Sequence, residues 1–267
     1  MWATMALAAA LAAAPHQAGD LKLTNVRATY GFLGAERKDN KFIPGDICFI
    51  TFTMENLDVG EDGKVLYSMK MELLNPQGKL VFGKEPAKLD AFTSLGGNRM
   101  PAFAKTEIGT DTAPGEYTIK LTVTDLRAKK TATLERKFEV LPKEFGLVRV
   151  GYATLSEQPV SVPYVTVPGE TIFLGGSLLH FGRDPKTMQP NIGLQIRVLD
   201  EDGKSVLTKP VTDEVKELNP VKRPDIPIGM PLGLNRPGKF TVELEATDRI
   251  SKKTAKVSLP LHVIEEK

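Results

Sequence analysis

The sequence predicts an all-β protein built as two tandem antiparallel β-sandwiches, and three observations predict it. Two stretches, Pro114 to Asp125 and Pro237 to Asp248, each leave a Pro-Gly turn and then alternate strictly. Tyr117, Ile119, Leu121 and Val123 share one face of the first, and Phe240, Val242, Leu244 and Ala246 one face of the second. A period of two with one apolar face is the pattern of a half-buried strand. Both stretches run into the same hairpin sequence, Lys129-Lys130-Thr131-Ala132 and Lys252-Lys253-Thr254-Ala255, and the elements before them recur in the same order. A period this long exceeds any solenoid repeat and marks duplication of a whole domain. Elsewhere the apolar runs are short and bounded by turn residues, among 23 Gly and 19 Pro, with no convincing helical periodicity.

The chain of 267 residues is 41% hydrophobic, enough to bury real cores, and its net charge of +2 creates no strong field for nucleic acid or anionic membrane. Met1 to Ala14 is apolar and Ala-rich and gives way to polar Pro15 to Asp20. Residues 1–18 are expected to be a signal peptide, cleaved after Ala14 or Ala18, although no Lys or Arg precedes the apolar run. Its apolar run is too short for a comfortable membrane span. The expected location is therefore outside the cytoplasm, periplasmic or extracellular, with no membrane insertion after cleavage. Cys48 is the single cysteine, so no internal disulfide forms and both cores must hold by packing. Trp2, the single tryptophan, lies inside the expected leader.

The first sandwich is assigned to residues 19–142. Leu21, Leu23 and Val26 give an opening strand with a break near Asn25. After the Pro44-Gly45 turn, Cys48, Ile50, Phe52 and Met54 alternate as a core face. Asn56 to Lys64 is a Gly- and acid-rich loop, and Tyr67, Met69, Met71 and Leu73 form the next inward row. Asn75 to Gly78 turns the chain into a returning strand at Lys79 to Phe82. Glu85 to Thr112 has no legible period because Pro86, Gly96, Gly97 and Pro101 interrupt it. Thr131 to Val140 points Ala132, Leu134, Phe138 and Val140 inward, with Arg136 out of pattern.

Residues 143–146 read as a short semi-rigid linker and 147–267 as the second sandwich. Leu147 to Ala153 answers the opening strand and Pro168-Gly169 answers Pro44-Gly45. Ile172, Leu174, Gly176 and Leu178 stand for the Cys48 row, and Ile192, Leu194, Ile196 and Val198 for the Tyr67 row. Asp200 to Gly203 is a hairpin turn. Ala255, Val257, Leu259, Leu261 and Val263 form the last inward row, and Pro260 on its other face places that strand at a sheet edge.

The Pro-Gly-x-aromatic-Thr-aliphatic-x-Leu pattern at Pro114 and Pro237 resembles the penultimate strand of bacterial immunoglobulin-like or fibronectin type III-like modules of exported proteins. The resemblance covers both halves and implies two immunoglobulin-like β-sandwiches. Phe240 departs from it, lacking the hydroxyl of a tyrosine corner, as does the absence of a cysteine pair.

Catalytic signatures are missing: no nucleophile elbow, phosphate loop, dinucleotide fingerprint or zinc-protease pattern occurs. Cys48 shares the phase of Ile50 and Phe52 and reads as a buried small hydrophobe. His262 falls on an outward face, and His180 ends a strand near Asp184 without a second ligand at metal spacing. Asp58, Glu61 and Asp62, with Asp125 at the same end of the sandwich, offer oxygen ligands for Ca²⁺, or else simply shape a solvated turn. Lys129-Lys130 and Lys252-Lys253 solubilise hairpin tips, and nucleic acid is not expected as a partner. Only Tyr30, Tyr152 and Tyr164 remain as sugar-stacking candidates. The expectation is a non-enzymatic envelope protein without cofactor, contacting a protein or an envelope polymer through loops or edge strands. The irregular surfaces at Pro159, Pro163, Pro168 and at Asn219 to Pro231 are the first places to look. Two alternatives stand beside it. One is a glycan-active hydrolase or accessory module with convergent carboxylates near His180 or Glu144 at the domain junction. The other is a calcium-stiffened adhesin.

Overall fold

The computed structural model describes residues 19–265, so the expected leader lies outside the described residues. The strands of the first sandwich are β1 (Lys22–Thr29), β2 (Lys41–Phe42), β3 (Ile47–Glu55), β4 (Lys64–Leu74), β5 (Leu80–Phe92), β6 (Met100–Glu107), β7 (Gly115–Asp125) and β8 (Lys130–Val140). One sheet has the order β1-β3-β6 and the other β2-β8-β7-β4-β5. The second sandwich comprises β9 (Gly146–Thr154), β10 (Val165–Thr166), β11 (Thr171–Leu179), β12 (Ile192–Leu199), β13 (Val211–Val215), β14 (Asp225–Gly233), β15 (Gly238–Asp248) and β16 (Lys253–Val263). Its sheets, β9-β11-β14 and β10-β16-β15-β12-β13, repeat the first pair strand for strand. Pairing is antiparallel except for two-residue parallel contacts, β2 with β8 and β10 with β16. No helix among the described residues is long and apolar enough to cross a membrane.

The alternation places the core where it should be. Cys48, Ile50, Phe52 and Met54 of β3 face Ile119, Leu121 and Val123 of β7, all buried. In the second domain Ile172, Leu174 and Leu178 face Val242, Leu244 and Ala246. Fully burying a side chain such as Phe52 contributes about 1.5–3 kcal/mol. The break at Asn25 is a bulge: Asn25 is left-handed at φ 51° and the β1–β3 register slips between Thr24 and Arg27. Arg149 repeats the device in β9 at φ 54°.

Three expectations change. Glu85 to Thr112 contains two strands, the far end of β5 and all of β6. Asn219 to Pro231 is irregular only in its first part, where Arg183 donates to the carbonyls of Val221 and Arg223. From Asp225 it becomes β14, with Ile226, Ile228 and Leu232 buried. The reason is common to both: β5, β6 and β14 are edge strands, where Pro86, Pro101, Pro227 and Pro231 need no second neighbour for the missing N–H. The third concerns β16, which is open along Pro260 but closed at its end, where His262 and Val263 pair with β10.

Each sandwich also hides an aspartate at the end of its repeated strand. Asp125 is fully buried and accepts from the amides of Asp58 (2.6 Å), Arg127 (2.9 Å) and Ala128 (3.0 Å). Asp248 is its equivalent and accepts from Gly182 N (2.6 Å), Ile250 N (3.0 Å) and the Ser251 hydroxyl. Each carboxylate therefore ties the β7–β8 or β15–β16 hairpin to the loop leaving β3 or β11. The aromatic ahead of it has diverged. Tyr117 donates its hydroxyl to Ala113 O at 3.0 Å, whereas Phe240 lies under the Arg236 guanidinium, 4.9 Å from the ring centroid.

Replacing Asp125 with Ala orphans three amides, and at roughly 1–3 kcal/mol per buried unpaired group the loss of unfolding free energy is expected to be at least about 3 kcal/mol in urea titration. Burial acting alone would raise the Asp248 carboxyl, but the Ser251 hydroxyl and the amides of Gly182, Ile250 and Ser251 hold it below its ordinary 3.8. A depressed native pKa contributes stability above the ordinary value and loses it as pH falls through the native one. Acid titration of Asp248→Asn is therefore expected to show a shallower loss of stability below pH 3.8 than the parent chain. Burial also pushes the Cys48 thiol up to about 12, so its contribution is complete below 9.0 and lost as pH rises through 12. At pH 8 a thiol reagent is expected to label Cys48 only as fast as the first domain unfolds.

Candidate functional site: the cleft at the domain junction

The two sandwiches meet where three buried residues, Pro44, Gly45 and Asp46, lead into β3. Gly45 has φ +99°, and a Cβ there would lie 2.2 Å from Leu179 Cδ1 of the second domain, so only glycine fits this approach. His180, following β11, donates Nε2–H to Pro44 O at 2.8 Å. Arg149, left-handed in its bulge, donates its amide to Asp46 Oδ1 at 3.1 Å and its Nε to Gly45 O at 3.2 Å. The strained bulge thus turns the backbone of β9 toward the first domain.

Asp46 is the hub. Its Oδ2 accepts from Arg37 Nη1 at 2.8 Å, and its Oδ1 also accepts from Ile47 N at 2.8 Å. The Asp46 side chain is 3% exposed and that of Arg37 12%, so the pair is shielded from water. Arg37 donates further to Lys41 O at 2.9 Å and lies 4.8 Å from the Tyr30 ring centroid and 4.1 Å from that of Phe42. Burial raises the Tyr30 phenol, partly offset by the Arg37 charge.

Beside this lock is a cleft of about 280 Å³, bounded by Tyr30, Gly34 and Phe49 on the first domain and by Gly151, Pro159 and Phe173 on the second. Phe49 and Phe173 are equivalent positions of the duplication, both on the outer faces of their three-stranded sheets. The aromatic surface continues out of the cleft: Phe49 lies 6.3 Å from Phe103, which lies 4.5 Å from Phe32, measured between ring centroids. Phe32 and Leu33 are 39% exposed and Phe103 37%. On the other side of Arg37 and Asp46 a polar hollow is lined by Lys41, Glu144, Lys253 and Lys256.

The expected site residues fall as follows. Cys48 is buried in the first core and remote from chemistry. His180 is spent on the junction and His262 on the β16–β10 pair. Asp58 and Asp125 do meet, but through the Asp58 amide, while Asp62 accepts from Lys64 N at 3.0 Å. Among the described residues no three acidic, His or Cys side chains converge in a way that could hold a metal ion. Glu144 pairs with Lys253 at 3.8 Å. Tyr30 and Pro159 line the cleft, and Tyr152 is buried. Phe32, Phe49, Phe103, Arg37 and Asp46 escaped sequence reasoning. The available signal was Phe49 and Phe173 at matching outward positions of two repeated strands.

No protein-family model and no curated protein matches the chain. Solved structures resemble it weakly. The Streptococcus agalactiae AgI/II polypeptide BspA C-terminal domain aligns over 91% of this chain and 100% of its own, at 8% identity and TM-score 0.30. A calcium-binding mutant of Bacteroides uniformis beta-glucuronidase 2 aligns over 81% of this chain at 10% identity and TM-score 0.39. A Clostridium perfringens family 123 glycoside hydrolase aligns over 46% at 15% identity and TM-score 0.31. The chain spans only 26% and 28% of those two enzymes. Likenesses at this level carry no argument about activity or partner.

Asp46→Ala leaves the Arg37 cation buried without its carboxylate and is expected to cost about 3 kcal/mol. It also removes the acceptor of the Arg149 amide, so tryptic cleavage after the exposed linker residue Lys143 is expected to accelerate about tenfold, a factor corresponding to about 1.4 kcal/mol of opening. An unchanged cleavage rate would show that Asp46 does not couple the domains.

Proposed function

We propose that the protein is a non-enzymatic, exported binding protein of the cell envelope, in which two immunoglobulin-like sandwiches hold an aromatic surface for a protein partner. The observation that carries this reading is the run of Phe32, Phe103 and Phe49 leading into the junction cleft, with Phe32 and Phe103 more than a third exposed. Contiguous aromatic surface held on a rigid sheet is costly to leave in water and supplies the anchors that dominate protein interfaces. Phenylalanine has neither hydroxyl nor indole N–H, which favours apolar side chains over a hydrated glycan. The strand order of both domains supports the immunoglobulin-like reading, and the apolar N-terminal run supports export.

The same cleft gives a hydrolytic reading little to work with. Its buried carboxylate, Asp46, is occupied by one guanidinium and two backbone amides, which leaves it poorly placed to act as a general base.

Immobilised full-length protein challenged with envelope extract is expected to retain a protein that the Phe32→Ser/Phe103→Ser double variant releases. Both rings lie outside the core, so the variant is expected to stay folded, losing about 1–2 kcal/mol of unfolding free energy with the Phe32–Phe103 contact. Equal retention by the two proteins would overturn the proposal.

A further inference from the structure

A second opening, on the second domain, shares no lining residue with the junction cleft. It exists because β13 is short. β13 pairs with β12 only from Ile192↔Val215 to Ile196↔Val211, and beyond that the same edge of β12 keeps just the Leu199↔Ser205 bridge and the hydrogen bond from Val206 N to Val198 O at 2.8 Å. In the first domain the corresponding β5 follows β4 from Lys64↔Phe92 to Leu74↔Leu80. The missing length of strand leaves the space between the sheets open at the side. The result is a crevice of about 220 Å³ reaching Val198, Leu232, Phe240 and Leu261, with Val206 and Leu207 exposed on its rim. An apolar cavity of about 150 Å³ already takes up benzene, so this one has room for an alkyl chain.

Among the described residues one charged side chain belongs to the lining, Arg236. It is exposed, lies on the face of Phe240 at 4.9 Å, and has no carboxylate partner among the described residues. The equivalent place in the first domain is held by Ala113, whose carbonyl is taken by the Tyr117 hydroxyl. The cation is therefore specific to the domain that has the crevice. A guanidinium stacked on a ring keeps its N–H fork ordered for a carboxylate or phosphate.

From this geometry we propose that the second domain binds a single-chain anionic amphiphile. The alkyl tail lies in the crevice against Leu232 and Phe240, and the head group, carboxylate or phosphate, pairs with Arg236. The site is independent of the aromatic surface at the junction.

The test is calorimetric titration of the full chain with decanoate, decyl phosphate, decanol and inorganic phosphate, each below its aggregation concentration. Decanoate and decyl phosphate are expected to bind one to one and inorganic phosphate not to bind, which separates a tail-bearing ligand from the free anion. Affinity is expected to rise about fourfold per methylene from octanoate to decanoate as apolar surface is covered. Arg236→Gln is expected to weaken decanoate about tenfold, a loss typical of one charge-assisted contact, and to leave decanol unchanged. Val206→Trp, on the exposed rim, fills the opening and is expected to weaken decanoate and decanol alike. Phe32→Ser/Phe103→Ser is expected to bind decanoate as the parent does, so a failure at either site leaves the other standing. No saturable decanoate binding, or undiminished binding by Arg236→Gln or by Val206→Trp, would overturn the assignment.

Discussion

Asp46 collects, on two oxygens, the Arg37 guanidinium and the amides of Ile47 and Arg149, and so binds three separated pieces of chain across a domain boundary. A carboxylate this buried is unfavourable unless its charge is matched and its lone pairs are filled, and here both conditions are met by groups from the two domains together. The constraint is directional as well as energetic. Arg149 reaches Asp46 because its bulge carries a left-handed residue, and His180 reaches Pro44 O because it too is left-handed, at φ 55°. Those contacts set how the outer face of the second domain meets the Tyr30 loop, and hence where the cleft lies.

Duplication supplied the parts and divergence assigned them. Asn25 and Arg149 are the same left-handed bulge, and Asn56 and His180 the same left-handed residue after the second long strand. In the first domain these positions serve local closure: Asn56 donates to Asp20 O at 2.9 Å. In the second they are the junction. The buried aspartates, Asp125 and Asp248, kept one task in both copies, pinning a hairpin to the neighbouring loop. That division follows from geometry. A fully buried carboxylate ringed by amides cannot be truncated without orphaning them, whereas a left-handed residue at a domain end is free to point a new side chain outward.

Two surface features distinguish the halves, and both arise from strand edges. Phe103 stands on β6, an edge strand, where an outward ring meets Phe49 of the central strand and Phe32 of the preceding loop. The side crevice of the second domain comes from shortening β13 against its long counterpart β5. In each case the core alternation is untouched. The sandwich tolerates such change because outward positions and edge lengths carry little of the packing energy.

The alternation in β3, β7, β11 and β15, with the duplicated turns at Pro-Gly, determined from sequence that the chain is two strand sandwiches and which side chains fill them. Period two is a local property, legible wherever one face is buried against a partner. Even the bulge at Asn25 showed as a break in that period. β5, β6 and β14 were opaque because edge strands admit the prolines that elsewhere signal loops. The pairing of Arg37 with Asp46, the gathering of Phe32, Phe49 and Phe103, and the isolation of Arg236 on Phe240 were decided only by the tertiary structure. Each depends on a residue outside the alternating rows, Arg37, Phe32 or Arg236, all in loops where no periodicity fixes what a side chain meets.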